Sequence, residues 1–265
     1  MTKREPLMNE MFFEKHLNFI EDTIIEKKLM IDNPEPNFKM NLVYLLLKKY
    51  LERKFECIYS MGYPIASLLP LYQECIDALA LYKSHPKAKN VFFNGYVDEY
   101  INALELVSWG ILLNVPQPLF EKTVELIDSE GQTDALLDRL IQIRLPRRRS
   151  SQQLAFSKFY GGFYQALLRE PVAPVAVGQY LTVWYDTCLK QTATYDIHKQ
   201  GDESSFAGYW CWEAAALSYG LGIDDGSYQD FRYYPKDMVV YARQQTPTPP
   251  TPPGDPDLPA GFGLR

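Results

Sequence analysis

Apolar residues recur along most of this chain at three- to four-residue steps, the spacing that lines one face of an α-helix. Phe12, Leu17, Ile20, Ile24 and Leu29 follow that step until Asn33-Pro34 stops the run. The same reading predicts helices over about 37–62 and 64–83, the latter with Pro64 in its first turn and a stop at His85-Pro86. Further helices are predicted over 96–113, from Pro116/Pro118 to about 129, and from an N-cap at Thr133 to Leu145-Pro146. The pattern continues over 152–169, where Gly161-Gly162 predicts a kink or a close helix crossing. It then covers 175–190, 204–219 and 235–244.

No stretch alternates with the period of two that a half-buried strand requires. The expected fold is therefore all-α, a multi-helix and largely antiparallel bundle with short loops. A soft boundary near Gly131 divides a helical region over 1–131 from a second over 132–245. Residues 246–265 form a proline-rich tail that cannot be helical, because proline lacks the amide donor. A solvated, polyproline-like tail is the simpler reading of it, and a PxxP ligand the functional one. No fixed-period repeat suggests a solenoid.

A length of 265 residues, 46% hydrophobic and 23% charged, can bury a core without disulfides or metals. The formal charge of -6 argues against wrapping nucleic acid and suits a basic protein partner. Cys57, Cys75, Cys188 and Cys211 match no zinc spacing and read as buried thiols in a reducing compartment. The N-terminus has no signal-peptide pattern, and no run approaches the ~18 apolar residues of a membrane span. A cytoplasmic location is expected.

Catalytic signals are missing. His16, His85 and His198 are scattered, and no HExxH, GxGxxG, Walker A or GxSxG is present. Asp224-Asp225-Gly226 lacks the remaining ligands of a calcium loop. No metal, cofactor or catalytic residue is expected. The acids Asp202/Glu203 and Asp224/Asp225 fall in polar loops, where they read as solvated groups or caps. From Ser204 to Leu221 only Glu213 is charged, so a helix here is a core helix and Glu213 a buried charge held by an internal partner. The loop that follows alternates Asp224, Asp225 and Asp230 with Tyr228, Tyr233 and Tyr234. Tyrosines anchor interfaces and acids steer encounter, so these residues with Asp202 and Glu203 are candidate partner contacts. The alternative is a capping loop whose tyrosines pack on the core. Arg147-Arg148-Arg149 reads as a solvated loop or an internal salt-bridge donor.

The run SFAGYWCWEAAA at 205–216, then GIDD at 222–225 and YYPKDMV at 233–239, resembles the C-terminal region of the PoNi immunity proteins. That resemblance implies a non-enzymatic, all-α antitoxin that binds its cognate DNase effector, often one delivered by type VI secretion, and blocks it in the cytosol. It implies no catalytic site, and its toxin contacts do not carry over by motif. The physical reading agrees: a nuclease site faces phosphates, and an acidic rigid body can cover it. Two other readings stay open, a helical scaffold of the secretion machinery using the tail as ligand and an enzyme with a cleft near Glu213. A homodimer is compatible with the sequence.

Overall fold

The computed structural model describes residues 2–169 and 171–245; the expectation for the proline-rich tail lies outside the described residues. Their regular structure is entirely helical, without a strand. Helix α1 spans Glu10–Asp32, α2 Met40–Ser60, α3 Leu68–Ser84, α4 Val97–Leu112 and α5 Gln117–Asp128. Helix α6 spans Ala135–Ile141, α7 Ser157–Leu167, α8 Pro174–Thr187, α9 Trp212–Gly220 and α10 Lys236–Gln244. Short 3-10 turns occupy 65–67, 189–191 and 197–203.

Helix α2 packs between α1 and α3, and α4 runs through the centre against α5, α6, α9 and α10. Helix α4 carries acids in its first turn and is otherwise nearly all apolar, so it is buried over most of its circumference. One aromatic knot joins the two halves of the chain. Phe55 stacks on Trp109 at 3.9 Å between ring centroids, and Trp212 meets Trp109 edge-on at 5.8 Å. Tyr59 sits 4.8 Å from Trp212 and 5.0 Å from Trp210. The N-terminal segment is tied down as well. Arg4 donates to the carbonyls of Tyr59 and Tyr63, covers the Tyr59 ring and pairs with Asp237 in the first turn of α10.

Three expectations need correction. The segment 204–211 is not helical; α9 begins at Trp212. Gly208 takes φ +130, and a Cβ there would sit 2.3 Å from Ser60 Oγ and 2.4 Å from Trp210 Nε1. Ser60 Oγ donates to the Ala207 carbonyl and accepts from Trp210 Nε1, so tertiary hydrogen bonds hold the segment extended against α2. Helix α7 passes Gly161-Gly162 unbroken, and nothing lies within 4 Å of the Cβ either glycine lacks, so the pair marks neither a break nor a close crossing. The cap of α6 is Asp134, not Thr133: its carboxylate accepts from the amides of Leu136 and Leu137, from Tyr100 and from Ala155.

The four cysteines are free and buried, as expected. Arg148 is an internal donor: it pairs with Asp128 and with the buried Asp138, pinning the 142–151 turn.

Candidate partner-binding cleft

The side chains of α2 that share a stripe are Lys48/Lys49, Glu52/Arg53 and Glu56, spaced i, i+4, i+8. On α4 the matching stripe is Asp98/Glu99, Ile101/Asn102 and Glu105. The two stripes face a cavity of about 280 Å³ whose remaining wall comes from the connection between α8 and α9, including Leu189, Ile197, Phe206, Tyr209 and Trp210. Arg53 Nη1 donates to the Ser205 carbonyl at 2.8 Å and ties that wall to α2.

Five acids and three bases line the cavity: Glu52, Glu56, Asp98, Glu99 and Glu105 against Lys48, Lys49 and Arg53. Lys48 is almost fully buried, lies 2.8 Å from Glu52 Oε1 and donates to Asn102. Lys49 pairs with Glu99 at 3.2 Å. Burial raises the Glu56 carboxyl to about 7; Arg53 opposes the shift and Glu52 adds to it. Burial also holds Glu105 well above the ordinary carboxylate range, with the charges of Glu56, Glu52 and Glu213 pushing the same way.

The candidate contacts separate into outward and inward groups. Asp202 and Glu203 are exposed on the turn between Ile197 and Phe206 and do not line the cavity. Asp224 and Asp230 are exposed on the 221–234 loop, Asp224 capping Gly226 N–H and Asp230 pairing with Lys236. Tyr233 is half-buried and stacks on Tyr185 at 5.0 Å. Asp225, Tyr228 and Tyr234 turn inward and are buried. Asp225 accepts from Tyr234 at 2.9 Å and pairs with Arg243 at 2.9 Å, while Tyr228 shares a hydrogen bond with Ser218. These three hold the loop onto α9 and α10 and offer little surface to a partner.

Glu213 is buried and meets an internal partner. Tyr180 donates to its Oε1 at 2.6 Å, and burial raises its carboxyl above the ordinary range. Tyr180→Phe will leave that oxygen without its donor and lower unfolding free energy by about 1–3 kcal/mol in urea titrations. Tyr180→Phe/Glu213→Leu will be less destabilised than the single variant, because removing both partners removes the stranded acceptor.

Glu52, Glu56 and Glu105 were absent from the sequence-based candidates. A signal existed: like charges at i, i+4 on α2 cost a helix about 0.2–0.5 kcal/mol, and Glu105 interrupts an apolar helix.

Residues 4–125 match the family model for the N-terminal part of the PoNe immunity proteins, and residues 132–238 match the model for the C-terminal part. The chain belongs to the PoNi family, the PoNe immunity proteins. It is also similar to the crystal structure of protein PA2201 from Pseudomonas aeruginosa, with 20% identity, 92% of each chain covered and a TM-score of 0.72. At that identity the likeness speaks to the fold alone. Among curated proteins no sequence matches the chain. No helix among the described residues is long and apolar enough to cross a membrane.

Proposed function

We propose that this protein neutralises a PoNe nuclease effector, a DNase delivered by a secretion system such as type VI, by binding it in the cytoplasm and covering its phosphate-binding surface. The acid-lined cleft carries this reading. A surface that grips DNA is electropositive, and a rigid acidic mouth complements it. The exposed acids Asp202, Glu203, Asp224 and Asp230 extend the attracting field, and Tyr233 adds aromatic contact area. The protein itself performs no chemistry in this scheme; it competes with nucleic acid for the toxin.

The direct test is co-expression. The native chain should rescue cells from the cognate effector and stop DNA degradation by the purified toxin in a stoichiometric manner. Failure at both would remove the immunity reading. Asp202→Lys/Glu203→Lys should lower the association rate about tenfold or more at low salt and change dissociation little, as read by surface plasmon resonance at two ionic strengths. An association rate indifferent to salt in the native protein would sink the electrostatic part.

A further inference from the structure

The first two helices carry an unusual share of exposed apolar side chains. Of twelve large ones among the described residues, six lie there: Met11, Phe19, Ile25 and Leu29 on α1, and Leu42 and Leu46 on α2, each between 41% and 71% exposed. Scattered apolar residues are ordinary on a surface, but six on one helix pair form a patch that marks an interaction site. Helix α1 packs chiefly on α2. Its inward side carries Phe13, Leu17, Ile20 and Ile24, all buried. Its outward side carries Met11, Lys15, Asn18, Asp22, Ile25 and Leu29, all exposed and spaced by four, three, four, three and four. That is the seam spacing of a helix that pairs with another helix. Phe19 flanks the seam and meets Tyr50 edge-on at 6.1 Å, and Tyr50 continues the α2 stripe of Leu42 and Leu46 at steps of four.

The order of residues along the seam says what covers it. Run in the opposite direction, the seam fits itself about the level of residue 20: Met11 falls opposite Leu29, Lys15 opposite Ile25, and Asn18 opposite Asp22. A two-fold interface requires this property, because each copy must supply both halves of every contact. Met11 then meets Leu29 at both ends. In the polar middle the Asn18 amide can donate to the Asp22 carboxylate, a pairing that fixes the register. The charges agree as well. Among the described residues Lys15 and Asp22 have no ion-pair partner within the chain. A Lys15 stem laid on Ile25 of the second copy brings its ammonium toward Asp22 and Glu26 of that copy, neighbours of Ile25 on the same surface.

We infer that α1 is a dimerisation helix: two copies of this chain pair antiparallel along it, with Phe19 of each beside the two-fold axis and Leu42 and Leu46 covering the flank. Two helices of 23 residues run together for about 34 Å. With the α2 flank they bury on the order of 1,200 Å² in total, at the lower end for specific interfaces. The expected dissociation constant is therefore micromolar. No α1 residue lines the acid cleft, so self-association and toxin binding are separable by mutation.

Sedimentation velocity on the full chain tests this. The native protein should pass from monomer to dimer as its concentration rises through the micromolar range. Ile25→Lys sets a lysine against Lys15 of the second copy and should weaken the dimer about 30-fold or more. Ile25 is exposed, so the fold is retained, which circular dichroism checks. Lys15→Glu/Ile25→Lys restores opposite charges in the antiparallel register and should recover most of the loss. A parallel pairing sets each residue beside its own copy and gains nothing from the second change. A native chain still monomeric at about 100 µM overturns the inference. A dimer that Ile25→Lys leaves intact does the same, and failure of the double variant to recover overturns the antiparallel register. If the native chain is monomeric and Ile25→Lys instead weakens binding to the inactivated cognate nuclease, the face belongs to the toxin and not to a second copy.

Discussion

As pH rises from about 4.5 to about 7, the native protein will lose up to ~3 kcal/mol of unfolding free energy relative to Glu56→Gln. The sign follows from where the proton sits. Glu56 titrates near 7 when folded and near 4.5 when unfolded, so within that window the folded state holds a proton that the unfolded chain releases. Stability from this group is full below pH 4.5 and is lost as pH climbs through 7. Glu105, Glu52 and Glu213 are raised by burial too and slope in the same direction. His16 opposes them at the acid end: burial lowers it from 6.5 to about 4, so its contribution disappears as pH falls through that range. Comparing the native chain with Glu56→Gln cancels His16 and isolates the cleft.

Stability profiles of native and variant proteins that run parallel would refute the assignment of Glu56. The charged and titratable groups that line the cavity with Glu56 are Lys48, Lys49, Glu52 and Arg53 on α2, Asp98, Glu99 and Glu105 on α4, and Tyr209 on the opposite wall.

The helices were legible wherever proline or glycine punctuated a clear 3.6-residue period. Pro34, Pro64 and Pro116 each fall next to an observed boundary. Segment 204–211 was not legible in this way. It has no charges and is rich in aromatics, which satisfies a helical reading, yet its conformation is fixed by Ser60 on α2, distant in the chain. Adjacent Asp224 and Asp225 look alike in sequence and face opposite ways, because a turn places one against Gly226 and the other under Tyr234 and Arg243. The cleft was hidden for a related reason. Its acids stand on two helices that no local pattern joins, and each alone resembles an ordinary solvated face. The aromatic stretch lies in the core and Glu213 accepts from Tyr180, since a lone carboxylate among buried aromatics leaves few alternatives.

The buried carboxylate with the most to lose is Glu130, just past the end of α5. Its side chain is fully buried. Oε1 accepts from Val91 N–H at 2.6 Å and from Lys83, and Oε2 accepts from Phe92 and Phe93 N–H at 3.1 and 3.0 Å. Residues 91–93 lie between α3 and α4 without a helix of their own, so Glu130 serves the backbone donors that no ladder satisfies. Glu130→Ala will strand three buried amides and one shielded ammonium. The expected loss is on the order of 5 kcal/mol, against a total of roughly 5–15 kcal/mol for a folded protein. Glu130→Gln keeps one acceptor and should fall between. Urea midpoints give the magnitude, and hydrogen exchange gives the place: protection at Val91, Phe92 and Phe93 should collapse first. The effect should also reach the cleft, because Phe92 lies under the ammonium groups of both Lys83 and Lys48, and Lys48 anchors Glu52 on the cavity wall. A Glu130→Ala protein within 1 kcal/mol of native, with those amides still protected, would show that another acceptor can take over the segment.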